Sequence, residues 1–97
     1  VARQFNADEA LAMGLVNRVL PRSRFSDYVQ DYAARIAENA PLTLLAIKKI
    51  VDQTLKDPDA RDLDMCDELV DRCFASEDYK EGRRAFMEKR KPKFVGR

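Results

Sequence analysis

The chain has 97 residues, 45% of them hydrophobic and 36% charged, and a net charge of +1. That composition suits one small soluble globular domain, and a charge so near zero speaks against a wholesale nucleic-acid or membrane binder. No apolar run approaches the roughly 18 residues of a membrane span, and no secretory leader is recognisable. Histidine is absent, which removes the commonest acid–base residue and the commonest metal ligand, and no metal site is expected. A first residue other than methionine implies a processed product or a piece of a longer chain.

"NADEALAMG" reads as a short helix, with Asn6 as N-cap, Glu9 completing a capping box and Gly14 as the stop. "LVNRVL" follows, aliphatic and β-branched, and reads as a strand ended by Pro21. No second clear strand exists, and one strand cannot satisfy its own backbone. It therefore pairs with something outside this sequence or is only an extended connector.

From Ser23 to Ala40, Phe25, Tyr28, Val29, Tyr32, Ala33, Ile36, Ala37 and Ala40 recur at helical spacing, predicting a helix with one buried stripe. Pro41 opens the next helix, which runs to about Lys56 and buries some of Leu44, Leu45, Ile47, Ile50, Val51 and Leu55. Asp57 and Pro58 repeat the start signal. The third long helix carries Leu63, Cys66, Leu69, Val70, Cys73 and Phe74 on one side. Its other side holds Asp59, Asp62, Asp64, Asp67, Glu68 and Asp71, best read as a solvated face. Ser76 caps a final helix with Tyr79, Gly82, Phe86 and Met87 inward, and Pro92 marks its end. The connections are tight, so neighbouring helices are expected to turn back on one another.

Several constellations could carry chemistry. Cys66 and Cys73 lie about 10 Å apart along a helix, too far to pair with each other, and read as small apolar residues of a reducing compartment. No Ser/His/Asp or Cys/His set can be assembled. Gly82 interrupts a helix at a cost of about 1 kcal/mol against alanine, which points to close packing against the Cys73 end of the preceding helix. The run Arg83, Arg84, Lys89, Arg90, Lys91, Lys93 and Arg97 partly answers the negative end of the last helix. With Phe86 and Phe94 interleaved it could also hold a nucleotide: an RNA, a single-stranded DNA, or, better suited to the modest charge, a small phosphorylated ligand.

Three stretches, "FNADEALAMGLVNRVLP", "IAENAPLTLLAIKKIV" and "SEDYKEGRRAFMEKRKPKFVG", resemble in order and in register the C-terminal third of the enoyl-CoA hydratase/isomerase (crotonase) superfamily. The resemblance covers essentially the whole chain. It implies an all-α small helical bundle, residues 22–97. Residues 1–21 would be the tail of a larger α/β core and would include the stray strand. It further implies a parent enzyme acting on acyl-CoA thioesters, with water addition to a 2-enoyl-CoA in fatty-acid metabolism as the expected reaction. An enoyl-CoA isomerase, another reaction of the superfamily, or a non-catalytic interaction module are the alternatives. Coenzyme A would be part of the substrate and no separate cofactor is implied. The oxyanion-holding amides and catalytic glutamates of the family lie upstream of these motifs, so no catalytic residue is carried over, and Glu77, Glu81 and Glu88 match none of them. By motif position Phe86 and Lys89, three apart on one helix face, become the candidates for the adenine and phosphate region of CoA. Homo-oligomers, trimers or paired trimers, and a bacterial cytoplasm or a mitochondrial matrix complete what the resemblance implies. Neither a nucleic-acid nor a membrane partner is expected.

Overall fold

A computed structural model describes residues 2–97. Five α-helices follow in order: α1 (Ala7–Ala12), α2 (Arg22–Ala37), α3 (Pro41–Thr54), α4 (Leu63–Ala75) and α5 (Glu77–Met87). The architecture is all-α, with no strand among the described residues. No helix among them is long and apolar enough to cross a membrane. The chain divides into two compact units, Val1–Ala33 and Ala34–Arg97.

In the first unit α1 has the expected start. The Asn6 side chain accepts from the Glu9 amide at 2.9 Å, and the Glu9 carboxylate accepts from the Asn6 amide at 3.0 Å. Gly14 closes the helix at φ 74°, a left-handed conformation that costs glycine little. Its amide reaches the Leu11 carbonyl, and the Leu15 amide reaches the Ala10 carbonyl, a Schellman closure. Residues 15–20, predicted as a strand, form no ladder among the described residues, since a ladder needs a second strand and none is present there. Arg18 lies over the Tyr28 ring, 5.2 Å from its centroid, and Tyr28 stacks on Tyr32.

Helix α2 stops at Ala37, three residues short of the expected end. The Asn39 amide side chain takes the carbonyls of Arg35 and Ile36, and the residue before Pro41 is extended, as proline requires of its predecessor. The stripe of α2 is periodic as expected, but it is not buried: Phe25 is 59% and Tyr32 56% exposed, with Val29 and Ile36 open as well.

In the second unit α4 packs against α3 and, less extensively, against α5. Helix α3 buries Ala46 and Gln53 and half-buries Leu44 and Ile50, whereas Leu45, Ile47, Val51 and Leu55 stay exposed. Asp57 and Pro58 open only a 3₁₀ turn, Pro58–Ala60, since the Asp57 side chain caps nothing. Asp62 is the cap that starts α4, accepting from the Met65 amide at 2.9 Å. The turn between α3 and α4 is closed from both sides. Arg61 donates to the Lys56 and Thr54 carbonyls that the end of α3 leaves open, and buried Gln53 accepts from the Asp62 amide. The acidic face of α4 is exposed as expected, with Asp64, Asp67, Glu68 and Asp71 all open to solvent.

A single residue joins α4 to α5. Ser76 Oγ donates to the Cys73 carbonyl at 2.6 Å and accepts from the Tyr79 amide at 3.0 Å. One buried hydroxyl therefore ends one helix and starts the next. Helix α5 ends earlier than Pro92 would have it. Lys89 takes φ 53°, its amide reaches the Phe86 carbonyl, and the Arg90 amide reaches the Ala85 carbonyl. This is a second Schellman closure, built on lysine where glycine is the usual occupant. The inward side of α5 also differs from expectation. Ala85 (1% exposed) and Asp78 (2%) are the buried residues, while Phe86 and Met87 are about four-fifths exposed.

Candidate functional site: a clamped tail beside an apolar groove

The acids of α5 organise the C-terminal segment. Asp78 and Glu81 are three apart and so share a helix face. Asp78 Oδ1 accepts from the Val95 amide at 2.7 Å and Oδ2 from the Gly96 amide at 2.8 Å. The Asp78 amide in turn donates to the Arg97 carbonyl at 3.1 Å. One turn on, Glu81 Oε1 accepts from the Lys93 amide at 2.9 Å, and both Glu81 oxygens receive the Arg90 guanidinium, at 2.7 and 3.0 Å. Residues 91–97 thus run back along α5, their backbone donors held by two carboxylates. Such charge-assisted bonds are about twice as strong as neutral ones.

The Arg90 fork, followed by the Lys93 amide, holds the Glu81 carboxyl down to about 2, well below the usual carboxylate range. Arg90 is raised correspondingly by Glu81 first and then Glu88. Glu77 is lowered by Lys80, which donates to it at 2.6 Å on an exposed surface.

Apolar contacts complete the clamp. A Cβ on Gly82 would lie 3.6 Å from the Phe94 ring, so this glycine faces the tail and not the Cys73 end of α4 as expected. The distance is an ordinary van der Waals contact, so an alanine would also fit. Gly96, at φ 79°, brings the tail against Pro41, where a Cβ would meet the proline ring at 3.5 Å. Lys91 reaches Glu38 at 3.4 Å. The tail therefore ties α5 to the start of α3.

Beside the tail, α3, α4 and α5 enclose an apolar groove of about 570 Å³. Ile47 and Ile50 line it from α3, Val70 and Phe74 from α4, and Phe86 from α5, with tail residue Phe94 also in the wall. Phe74 meets Tyr79 edge-on at 5.1 Å, and the Arg83 guanidinium sits 6.0 Å from the Tyr79 ring centroid. Cys73 lines the groove as a half-buried free thiol, and Cys66 is likewise free and half-buried.

The two residues singled out by motif position separate here. Phe86 is in the groove wall and 82% exposed. Lys89 lies beyond the helix end at positive φ and does not line the groove, so the two do not form an i, i+3 pair on one helix face. The cation three residues from Phe86 on α5 that does line the groove is Arg83. Arg90 and Lys91 of the basic run are engaged by Glu81, Glu88 and Glu38. Sequence reasoning passed over Asp78 entirely. Its signal was present in "SEDYKEG", an acid at the second position of a capped helix and one turn before Glu81. Among the described residues no group of three or more Cys, Asp or Glu is placed to hold a metal.

A helical unit clamped by its own C-terminal segment next to an apolar groove defines a class of domain more readily than a reaction. Comparison with known proteins supplies the family. The family described as "Enoyl-CoA hydratase/isomerase" matches residues 1–97, and the chain belongs to that family. It is 36% identical over 98% of its length to a methylmalonyl-CoA decarboxylase of Escherichia coli, of which it covers 37%. It is 34% identical over 93% of its length to a short-chain-enoyl-CoA hydratase of Clostridium acetobutylicum, of which it covers 34%. A crystal structure of a probable enoyl-CoA hydratase/isomerase from Mycobacterium abscessus matches 96% of the chain at TM-score 0.83 and 31% identity, with 36% of that protein covered. The chain spans about a third of the length of the proteins it matches.

Proposed function

We infer that this chain is the C-terminal helical segment of an enzyme acting on acyl-CoA thioesters, and that the favoured reaction of that enzyme is hydration of a 2-enoyl-CoA. The observation that carries the reading is the family match along residues 1–97, together with two hydratases and a decarboxylase of CoA esters among the relatives. The decarboxylase supports a second reading, another reaction of the same family on a CoA thioester.

In either reading the role of the segment is to cover and assemble rather than to catalyse. Three of its carboxylates are committed to structure: Asp78 and Glu81 hold the tail and Asp62 caps α4. A carboxylate held near pKa 2 is a poor general base at neutral pH. The open faces of α2 and of the groove suit burial against further polypeptide, in this family reading the α/β core and neighbouring subunits of a trimer or paired trimers. Phe86, exposed at the groove rim, offers a ring face for the adenine of CoA, and Lys89, which no ion pair engages among the described residues, offers a cation for its phosphates.

The test is hydration of crotonyl-CoA by the 97-residue chain, with CoA binding measured alongside. The expected result is no turnover. CoA binding should weaken about fivefold or more in Phe86→Ala, in line with stacking of about 1–3 kcal/mol per base. Measurable turnover would overturn the assignment of catalysis to other residues. Binding unchanged in both Phe86→Ala and Lys89→Ala would remove the CoA role of this rim.

A further inference from the structure

The C-terminal tail combines three properties. Its backbone donors are taken by side chains and not by a helix or a sheet: Lys93 by Glu81, and Val95 and Gly96 by Asp78. Its main apolar anchor, Phe94, rests on the bare Cα of Gly82 and at the same time forms part of the groove wall. Its start follows a lysine at φ 53°, a conformation that costs a non-glycine residue about 1 kcal/mol or more. The attachment is therefore a few discrete polar bonds and one ring, with a strained link at its base. The backbone bonds within α3, α4 and α5 are made inside each helix and not to the tail, apart from the Asp78 amide, which donates to the Arg97 carbonyl.

We propose that residues 91–97 form a latch that opens as its own unit, and that its opening widens the apolar groove between α3, α4 and α5. When the latch is closed, Phe94 fills the space over Gly82 and Gly96 abuts Pro41, so α5 is tied to the start of α3. Opening removes Phe94 from the groove wall, bares the Gly82 face of α5 and releases the Pro41 contact. Asp78 is the positioning residue of the latch. It presents one oxygen to each of two successive amides, and among the described residues no other side chain bonds those two donors. Local opening below the global unfolding free energy is the general behaviour of segments with few buried apolar contacts. Here the geometry couples such opening to the volume of a cavity.

The test is amide hydrogen exchange along the chain, read together with binding of an apolar fluorescent dye such as ANS, for the wild type, Asp78→Asn and Phe94→Ala. In the wild type, the Lys93, Val95 and Gly96 amides should be protected, yet exchange faster than those within α3 and α4. Each substitution should accelerate exchange of 91–97 at least tenfold and should raise dye binding. Phe94→Ala keeps both carboxylates and Asp78→Asn keeps the ring, so the two variants reach the open state by independent routes. Three results would overturn the latch. One is wild-type tail amides exchanging at unprotected rates. Another is wild-type tail amides exchanging no faster than those of α3 and α4, which would make their opening global. The third is tail exchange accelerating with no change in dye binding, which would sever the tail from the groove.

Discussion

Helix α2 and the segment from Ser76 to Arg97 make opposite uses of their sequences. Helix α2 has regular apolar spacing and buries none of it; Phe25, Val29, Tyr32 and Ile36 all stay open. The C-terminal segment is dense in charge, yet it contains Asp78 and Ala85, two of the most buried residues described. Periodicity reports where a helix carries apolar surface. It does not report what covers that surface, because covering depends on elements distant in sequence. Charge likewise does not report exposure, since a carboxylate can be buried wherever amides meet both of its oxygens.

Substitutions at Asp78 probe this contrast most strongly. Asp78→Ala should destabilise the chain by about 2–3 kcal/mol, because two tail amides lose a charged acceptor together. Urea unfolding followed by helix ellipticity gives the value. A loss below about 0.5 kcal/mol would mean that the buried carboxylate contributes no more than a surface residue.

Lys89→Gly should act in the other direction. Glycine adopts φ 53° without the penalty a lysine incurs, offset in part by loss of a cation near the helix C-terminus, leaving a gain of about 0.5–1 kcal/mol. The same variant should bind CoA more weakly if Lys89 meets phosphate, so stability and binding would move apart. A thermal melt and a CoA titration on one preparation are sufficient.

On the apolar side of the comparison, Val29→Ser on the open stripe of α2 should change stability by less than about 0.5 kcal/mol in this chain, as surface substitutions do. A loss several times larger would show that the stripe is covered in solution, by a second copy for instance. Sedimentation of the same samples distinguishes that outcome.

The smallest effect is expected from pH. The folded carboxyl of Glu81 lies near 2, below its ordinary value of 4.5, so its contribution is fully present above about pH 4.5 and is lost as pH falls toward 2. The difference in urea midpoint between wild type and Glu81→Gln should therefore be flat from pH 7 to about 5 and shrink below that. A difference that grew on acidification would reverse the sign and remove the Arg90 fork as its cause.

Much of the architecture was legible locally. The Asn6–Glu9 box, the Pro41 start and the Ser76 cap are set by residues within four positions of one another, and each is found where the spacing puts it. Errors arose where local signals competed or where the decisive partner was remote. Pro58 announced a helix, but the Asp57 side chain caps nothing and Asp62 takes the cap, so α4 starts five residues later. Gly82 was readable as a point of close approach, yet not as the seat of Phe94, twelve residues on. Phe86 and Lys89 looked like neighbours on one face only while the helix was taken to continue to Pro92.

The sequence by itself determined the number and order of the helices, the start signals of α1, α3 and α5, the absence of histidine chemistry and, through three ordered motifs, the family. Those properties depend on bonds spanning a few residues or on residue types alone. Only the tertiary structure decided that Asp78 and Glu81 are clamps for the tail, that the basic run is partly consumed in ion pairs, and that the stripe of α2 stands open. Each of these depends on which distant group meets a side chain, and that is fixed by how helices pack and where the chain turns back, not by spacing along it.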